Sequence, residues 1–390
     1  MKEIAKENSI NYERLALTLN GVIKRPKDDS EGLQPKEFDG YQILRENDFI
    51  FKMIDLQNVS TSRVGLSSYT GLVSPAYIRF SPREASQYNQ FVYYFLMCLY
   101  YNCVYNNLGG NGVRSALNAK DMGEFIIPYP AEDEQRRICA VLDKKIGGIN
   151  SLICNVQTQI EKLKTYRLSI VTEIVTKGLD SQVPMVESGG DWIGTMPSSW
   201  TTIRVKQLLK ERKERSADGK EEPLSMSQNL GLVPTKMLDV IPNMASSFVG
   251  AKLTYVNDLV FNKLKAHLGV FSVSKYDGLV SPDYAVYYST GVVDLKYLEY
   301  LFKTPQCISE FRKRSTGIAA GLTRLYTDDL FAIECPLPPK KEQEKIVAFL
   351  DRQWSEIDKL IAIKQKKIEK LEQYKKSLIY EYVTGKKEVS

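Results

Sequence analysis

The residue types that most often perform catalysis are sparse in this chain. His267 is the only histidine, which excludes His-rich metal sites and leaves a Ser-His-Asp triad a single route. Six cysteines are scattered without a C-x-x-C pair or a secreted-type framework, and they read as reduced thiols of a cytoplasmic protein. There is no G-x-x-x-x-G-K-[ST] phosphate loop: Gly385-Lys386 is followed by Lys387 and lacks the preceding glycine. No glycine-rich loop suits S-adenosylmethionine, and no Asn/Asp-Pro-Pro-aromatic segment of the adenine-methyltransferase kind occurs. Pro282-Asp283 has no acid-x-lysine pair at nuclease spacing and reads as a turn. Glu161-Lys162 and Glu369-Lys370 fall on heptad patterns, where a solvated face is the better reading.

What remains is the chemistry of binding. Phosphates are met by Lys and Arg, and base edges by Arg, Lys, Asn, Gln, Ser or Thr. Three stretches of the second half have those types. Lys210, Arg212, Lys213 and Arg215 form a basic run diluted by Glu211 and Glu214. Asn262, Lys263, Lys265 and His267 follow a strand-like run, where loops often carry function. Arg312, Lys313, Arg314 and Thr316, with Gly317 and Arg324, follow a helix-like segment (Leu295–Phe311) and combine concentrated charge with a flexible glycine. The last two stretches rank above the first, against the alternative of plain surface charge. In the first half, Lys24, Arg25, Lys52, Ser62-Arg63, Asn106-Asn107, Asn111 and Arg114 sit at comparable places. Among 23 tyrosines, Tyr69 is a candidate for base or backbone contact. A net charge of +6 permits a nucleic-acid partner without demonstrating one.

These candidates must be positioned by something, and the chain repeats itself. Gly71-Leu-Val-Ser-Pro-Ala-Tyr77 recurs as Gly278-Leu-Val-Ser-Pro-Asp-Tyr284, and Asp48-Phe-Ile-Phe51 as Asp258-Leu-Val-Phe261. Pro128-Tyr-Pro130 with Glu134-Gln135 recurs as Pro336-Leu-Pro338 with Glu342-Gln343. The separation stays near two hundred residues, far longer than a solenoid period, so a whole unit is duplicated. The shared Gly-Leu-Val-Ser-Pro-x-Tyr motif reads as scaffold, since two modules that read different sequences would share scaffold rather than readout. Each unit has a mixed region with strand-like runs (Gln42–Ile50; Ser247–Phe261) and an aromatic helix-like segment (Phe91–Tyr105), followed by a long helical run. That aromatic segment is too short to span a membrane and contains Asn102.

The helical runs carry heptads. In the first, Leu142, Ile146, Ile149, Ile153, Val156, Ile160, Leu163, Arg167, Ile170 and Ile174 alternate four and three apart. In the second, Leu350, Trp354, Ile357, Ile361, Lys364, Ile368, Leu371, Lys375, Leu378 and Tyr382 do the same. Such seams argue for coiled-coil helices. Both follow a proline (Pro130, Pro339), carry acids in the first turn and end near a glycine, Gly178 or Gly385. Gly147-Gly148 should weaken the first helix locally. The seams pair either with another molecule or with each other, and the duplication favours each other, antiparallel, with a globular module at each end. A helix from Glu134 to Lys177 is roughly 65 Å long at 1.5 Å per residue, on the order of two DNA turns of about 34 Å.

In this order of parts, with the P-x-P…EQ start to each helix, the sequence resembles the specificity subunit of type I restriction–modification enzymes. Asp191-Trp-Ile-Gly194…Pro197-Ser-Ser-Trp200 is similar to the family's usual opening of a target recognition domain. Leu17–Ile23 and Leu224–Gln228 resemble early strands of those domains. The resemblance implies an α+β chain: two globular α/β target recognition domains separated by two long antiparallel coiled-coil helices, with internal pseudo-two-fold duplication. The expected parts are 1–131, 132–180, 181–338 and 339–390. Met1 falls opposite Glu211, so either the true start lies upstream or the first domain is shortened at its start. The implied role is non-catalytic: reading a bipartite site in double-stranded DNA and docking two methyltransferase (modification) subunits, with a restriction/translocase subunit besides. S-adenosylmethionine, ATP and Mg belong on those partners, with no cofactor or metal in this chain and no membrane. The competing readings are a coiled-coil adaptor that binds proteins and an enzyme with an unrecognised site.

Overall fold

The computed structural model describes residues 11–18, 21–28, 37–53, 63–83, 88–107, 117–190, 192–227, 230–238, 247–319 and 322–389. The chain divides into two compact units, Met1–Gln157 with Lys364–Ser390, and Thr158–Ile363. Each unit therefore contains a segment of both long helices.

In the first unit, strands Gly21–Arg25, Arg14–Thr18, Gly71–Val73 and Gln42–Leu44 lie side by side in that order. Strands Arg63–Leu66, Phe49–Lys52 and Ile78–Phe80 form a second sheet. The run Gln42–Ile50, expected as one strand, is broken by a tight turn. Asn47 takes φ 65° there, and the Asp48 carboxylate accepts the Arg45 N–H at 2.8 Å. Asparagine enters that left-handed region more readily than other non-glycine residues, so the turn falls where the sequence allows it. Helix Gln90–Tyr101 buries Val92, Leu96, Met97 and Tyr100 against Phe49, Phe51 and Val64. Each such side chain contributes about 1.5–3 kcal/mol on leaving water.

The second unit repeats these devices. Its four-stranded sheet runs Leu209–Glu211, Tyr284–Ser289, Leu259–Asn262, Phe271–Val273. The run Ser247–Phe261 is again broken, with Asn257 at φ 70° and Asp258 accepting the Tyr255 N–H at 2.9 Å. Phe261 stacks on Phe271 at 4.4 Å between centroids, and Phe302 and Phe311 meet both edge-on. The expected helical segment Leu295–Phe311 is two helices, Leu295–Phe302 and Pro305–Arg314. Thr304 caps the second through the Cys307 N–H, and Pro305 takes its first position. A fixed proline φ starts a helix well but continues one badly.

The shared Gly-Leu-Val-Ser-Pro-x-Tyr motif supplies a short strand in each unit, Gly71–Val73 beside Gln42–Leu44 and Gly278–Val280 beside Lys252–Thr254, the latter two forming a separate two-stranded sheet. Leu72 donates to the Glu13 carbonyl at 2.8 Å, and Leu279 to that of Glu222 at 2.9 Å. A Cβ on Gly71 or Gly278 would collide with those same carbonyl oxygens. Only glycine permits so close an approach.

The long helices are Glu132–Lys177 and Lys340–Val383. Their starts are built alike. Buried Gln135 donates to the Pro130 carbonyl and buried Gln343 to that of Pro338, both at 2.8 Å. Each aromatic helix is tied to its long helix by one bond at 2.5 Å, Tyr94 Oη to Asp143 or Tyr300 Oη to Asp351. Leu142, Ile149, Ile153, Val156 and Ile160 are buried, as are Leu350, Ile357, Ile368 and Leu378. Ile146, Leu163, Ile361 and Leu371 are half-buried. In the second unit the helices are antiparallel, with Arg167 bonded to Asp358 at 2.7 Å while Gly178 lies against Glu342. Arg167 also lies 4.5 Å over the Trp354 ring, so the polar residue on the seam is satisfied there. In the first unit, Lys375 donates to Asn150 at 3.2 Å. Helical structure runs unbroken through Gly147-Gly148, where Ser151 bonds the Gly147 carbonyl. No helix among the described residues is long and apolar enough to cross a membrane.

Candidate nucleic-acid interface

In the second unit the structure joins two stretches that lie some forty-five residues apart in sequence. After strand Leu259–Asn262 the chain makes a short 3-10 turn, Ala266–Leu268, closed by Gly269 at φ 75°. Helix Pro305–Arg314 ends against that turn. Arg312 Nε reaches the His267 carbonyl at 3.4 Å, and His267 Nδ1 lies 3.5 Å from Thr323 Oγ1. The hairpin of Thr316–Ala319 with Leu322–Arg324 pairs Thr316 opposite Arg324. Leu325 N–H then donates to the Lys263 carbonyl at 3.1 Å, fixing the hairpin's base to the same turn. Asn262, Lys263, Lys265, His267, Arg312, Thr316 and Arg324 thus belong to one connected surface.

The sequence reading ended the helical segment at Phe311, with Arg312–Arg314 beyond it. They are instead the last turn of a helix, where positive charge suits the dipole. Buried Glu310 holds two of them, Arg314 at 2.7 Å and Lys313 at 3.6 Å. Arg312 and Lys313 are exposed and Arg314 is half-buried. Arg324 is half-buried, bonded to Asp283 at 2.8 Å and 6.0 Å from the Tyr326 ring. Asp283 is the variable residue of the shared motif, where the first copy has Ala76. The motif's constant residues build the sheet, and its variable one faces the hairpin.

The third basic run divides by role. Arg212 binds both oxygens of Asp258, at 2.7 and 3.0 Å, and also Glu214 at 2.9 Å. It lies between the rings of Tyr255 and Tyr288, at 4.7 and 4.9 Å. Those bonds, Asp258 first, strengthen its hold on its proton. This arginine is scaffold. Arg215 donates to the Gly250 carbonyl, and its backbone pairs antiparallel with that of Lys252. Asp283 and Tyr284 belong to this surface and Lys252 lies buried beneath it, and the sequence patterns marked none of the three as a site residue. The signal available was the alignment of the copies, which sets Lys252 opposite Gln42 and Asp283 opposite Ala76.

In the first unit the candidates lie at two places. Lys24 and Arg25 end a hairpin strand, Gly21–Arg25. Lys24 pairs with Glu13 at 2.6 Å and lies 5.2 Å over the exposed Tyr69 ring. Its pKa is raised by the Glu13 hydrogen bond. Lys52 and Arg63 are register partners across strands Phe49–Lys52 and Arg63–Leu66. Asn111 and Arg114 lie outside the described residues. Asp48 is buried against Arg79 at 3.2 Å, as Asp258 is against Arg212, so each copy neutralises its turn aspartate with an arginine.

Residues 2–162 and 257–373 match the family of type I restriction modification DNA specificity domains. The putative type I restriction enzyme MjaX specificity subunit of Methanocaldococcus jannaschii is 25% identical over 281 residues. That match covers 70% of this chain and 62% of the relative. The MjaVIII specificity subunit of the same organism is 22% identical over 362 residues, covering 88% of this chain and 80% of the relative. A solved structure concerning complex assembly and conformational transition of the type I R-M system superposes with a TM-score of 0.65. Identity there is 13%, over 98% of this chain and 94% of that one, a likeness of fold.

Proposed function

This chain belongs to the type I restriction–modification DNA-specificity family, and from that premise we propose that it is the non-catalytic subunit reading a bipartite target in double-stranded DNA. Each module reads one half-site, and the long helices dock two methyltransferase subunits. S-adenosylmethionine, ATP and Mg act on the partner subunits, including a restriction/translocase subunit, and none on this chain. The domain boundaries at 131, 180 and 338 belong to the same proposal.

The observation that carries the reading is the joining of the Asn262–His267 turn, the cationic end of helix Pro305–Arg314 and the Thr316–Arg324 hairpin. Cations at such a junction can neutralise phosphate, while Arg312, Thr316 and Asn262 are types that read base edges. The adaptor reading gives no reason for these stretches to meet away from the helix seams.

Replacing residues 181–335 with the matching segment of a relative tests the proposal, with methylation-aware sequencing of the host genome as the readout. A split adenine-methylated motif changed in one half alone is the expected result. Change in both halves would refute one module per half-site. Separate elution of the chain and the neighbouring methyltransferase would refute the docking.

A further inference from the structure

Two residues at matching places in the duplicated modules do the same mechanical work with different charge. Buried Gln42 donates its amide to the carbonyls of Ser74 and Tyr77, both at 2.9 Å. Lys252, only 8% exposed, donates its ammonium to the carbonyl of Tyr284 at 2.6 Å. Tyr77 and Tyr284 close the two copies of the shared motif. Gln42 and Lys252 also open equivalent strands, opposite Val73 and Val280. A neutral amide therefore suffices to hold this corner of the sheet.

The ammonium needs another reason, because a buried charge is costly unless its surroundings return the lost hydration. They return it only in part. Glu211, on strand Leu209–Glu211, is 3.9 Å away, and Asp283 is already committed to Arg324. Lys263, beyond strand Leu259–Asn262, and Arg215, its backbone pairing partner, add like charge. Of the groups that act on the Lys252 charge, Lys263 and Arg215 are cations and Glu211 and Asp283 are acids, and Asp283 is shared with Arg324. Burial, then Lys263, loosens the Lys252 proton below the usual lysine range, with Arg215 adding to this while Glu211 and Asp283 oppose it.

We propose that Lys252 is a buried electrostatic element of the second module's DNA face, its partial counter-charge completed by DNA phosphate. This rests on the DNA-binding reading above. The charge lies directly under the Asp283-Tyr284 corner, which touches both candidate stretches: Asp283 binds Arg324, and the Tyr284 hydroxyl meets the Asn262 side chain. A charge at that depth is less screened by salt than surface lysines are. Phosphate arriving there tightens its hold on its proton, so binding takes up protons at a pH below the ordinary lysine range.

The test compares the full-length chain with its Lys252→Gln variant, the substitution the first module already carries. The probe is a fluorescently labelled random-sequence duplex at low salt. Lys252→Gln is expected to unfold at the wild-type temperature or above, to bind roughly tenfold more weakly, and to lose proton uptake. Uptake is read calorimetrically in buffers of different ionisation enthalpy. Equal affinity and equal uptake in the two proteins would overturn the proposal while leaving DNA binding intact. Should the variant fail to fold, absence of uptake by the wild type would overturn it equally. A wild-type chain that binds no duplex would bring down the DNA-binding reading itself.

Discussion

Arg212 offers a sharp separation of scaffold from readout, because in sequence it is one cation of a basic run. Its side chain is 18% exposed and Asp258 only 4%. Arg212→Ala leaves that carboxylate buried with the Tyr255 N–H but without its countercharge. Breaking a buried pair costs about 3–5 kcal/mol. The Glu214 bond adds about 0–1 kcal/mol at its exposed partner, and each ring contact about 0.5–1 kcal/mol. With Arg212 partly solvated, the lower end applies, and about 4 kcal/mol is expected. For a unit of this size that lowers the midpoint by roughly 8–16 °C. Arg212→Lys keeps the charge but loses the two-pronged grip on Asp258, and about half the loss is expected. Thermal denaturation of the full chain followed by circular dichroism measures both, and Asp258→Asn completes a double-mutant cycle. A midpoint within 2 °C of wild type for Arg212→Ala, together with weakened DNA binding, would refute this reasoning and move Arg212 into the readout.

Four further outcomes follow from the same geometry. Burial opposes the charged form of Glu299, but Lys303 at 2.5 Å and Lys296 at 2.9 Å outweigh it and hold its pKa below the ordinary value. Its stabilisation is therefore complete above the unfolded value of about 4.3 and is lost as pH falls through the lower folded value; Glu299→Gln should flatten that part of the stability–pH curve. Gly147→Ala and Gly148→Ala meet no atom within 4 Å, and urea denaturation should show gains of about 0.8–1 kcal/mol each. Lys313→Ala should weaken all duplexes alike and shallow the salt slope by about one unit, seen in a salt series. Arg312→Ala should cost about 1–3 kcal/mol and relax one position of the second half-site, read from single-base variants.

The fold class was legible wherever the signal was periodic or duplicated. Four-three spacing of apolar residues requires a seam, and two copies of one motif gave two like strand pairings, Gln42–Leu44 with Gly71–Val73 and Lys252–Thr254 with Gly278–Val280. The interruptions at Asn47 and Asn257 were not legible in that way, because an Asn-Asp pair within a strand-like run becomes a turn only when its carboxylate finds the local N–H. The division of the basic run was harder still. Arg212 and Arg215 look alike in sequence, and only Asp258, forty-six residues further on, makes one of them structural. The meeting of Asp283 with Arg324 and of His267 with Arg312 likewise depends on pairings more than forty residues apart. Residue type proposed Arg212, Arg215, His267, Arg312 and Arg324; tertiary structure decided which of them touch and added Asp258 and Asp283.

The paired attachments, Tyr94 with Asp143 and Tyr300 with Asp351, and Gln135 and Gln343 on their proline carbonyls, bear on how such a gene changes over generations. Recombination that inserts one module's coding segment in place of another meets the same tyrosine, aspartate and glutamine fittings at the junction. The incoming module then finds these polar attachments already in place, while its own hairpin and turn arrive unaltered. Inheritance can thus exchange what is recognised in a single step and leave the mounting untouched.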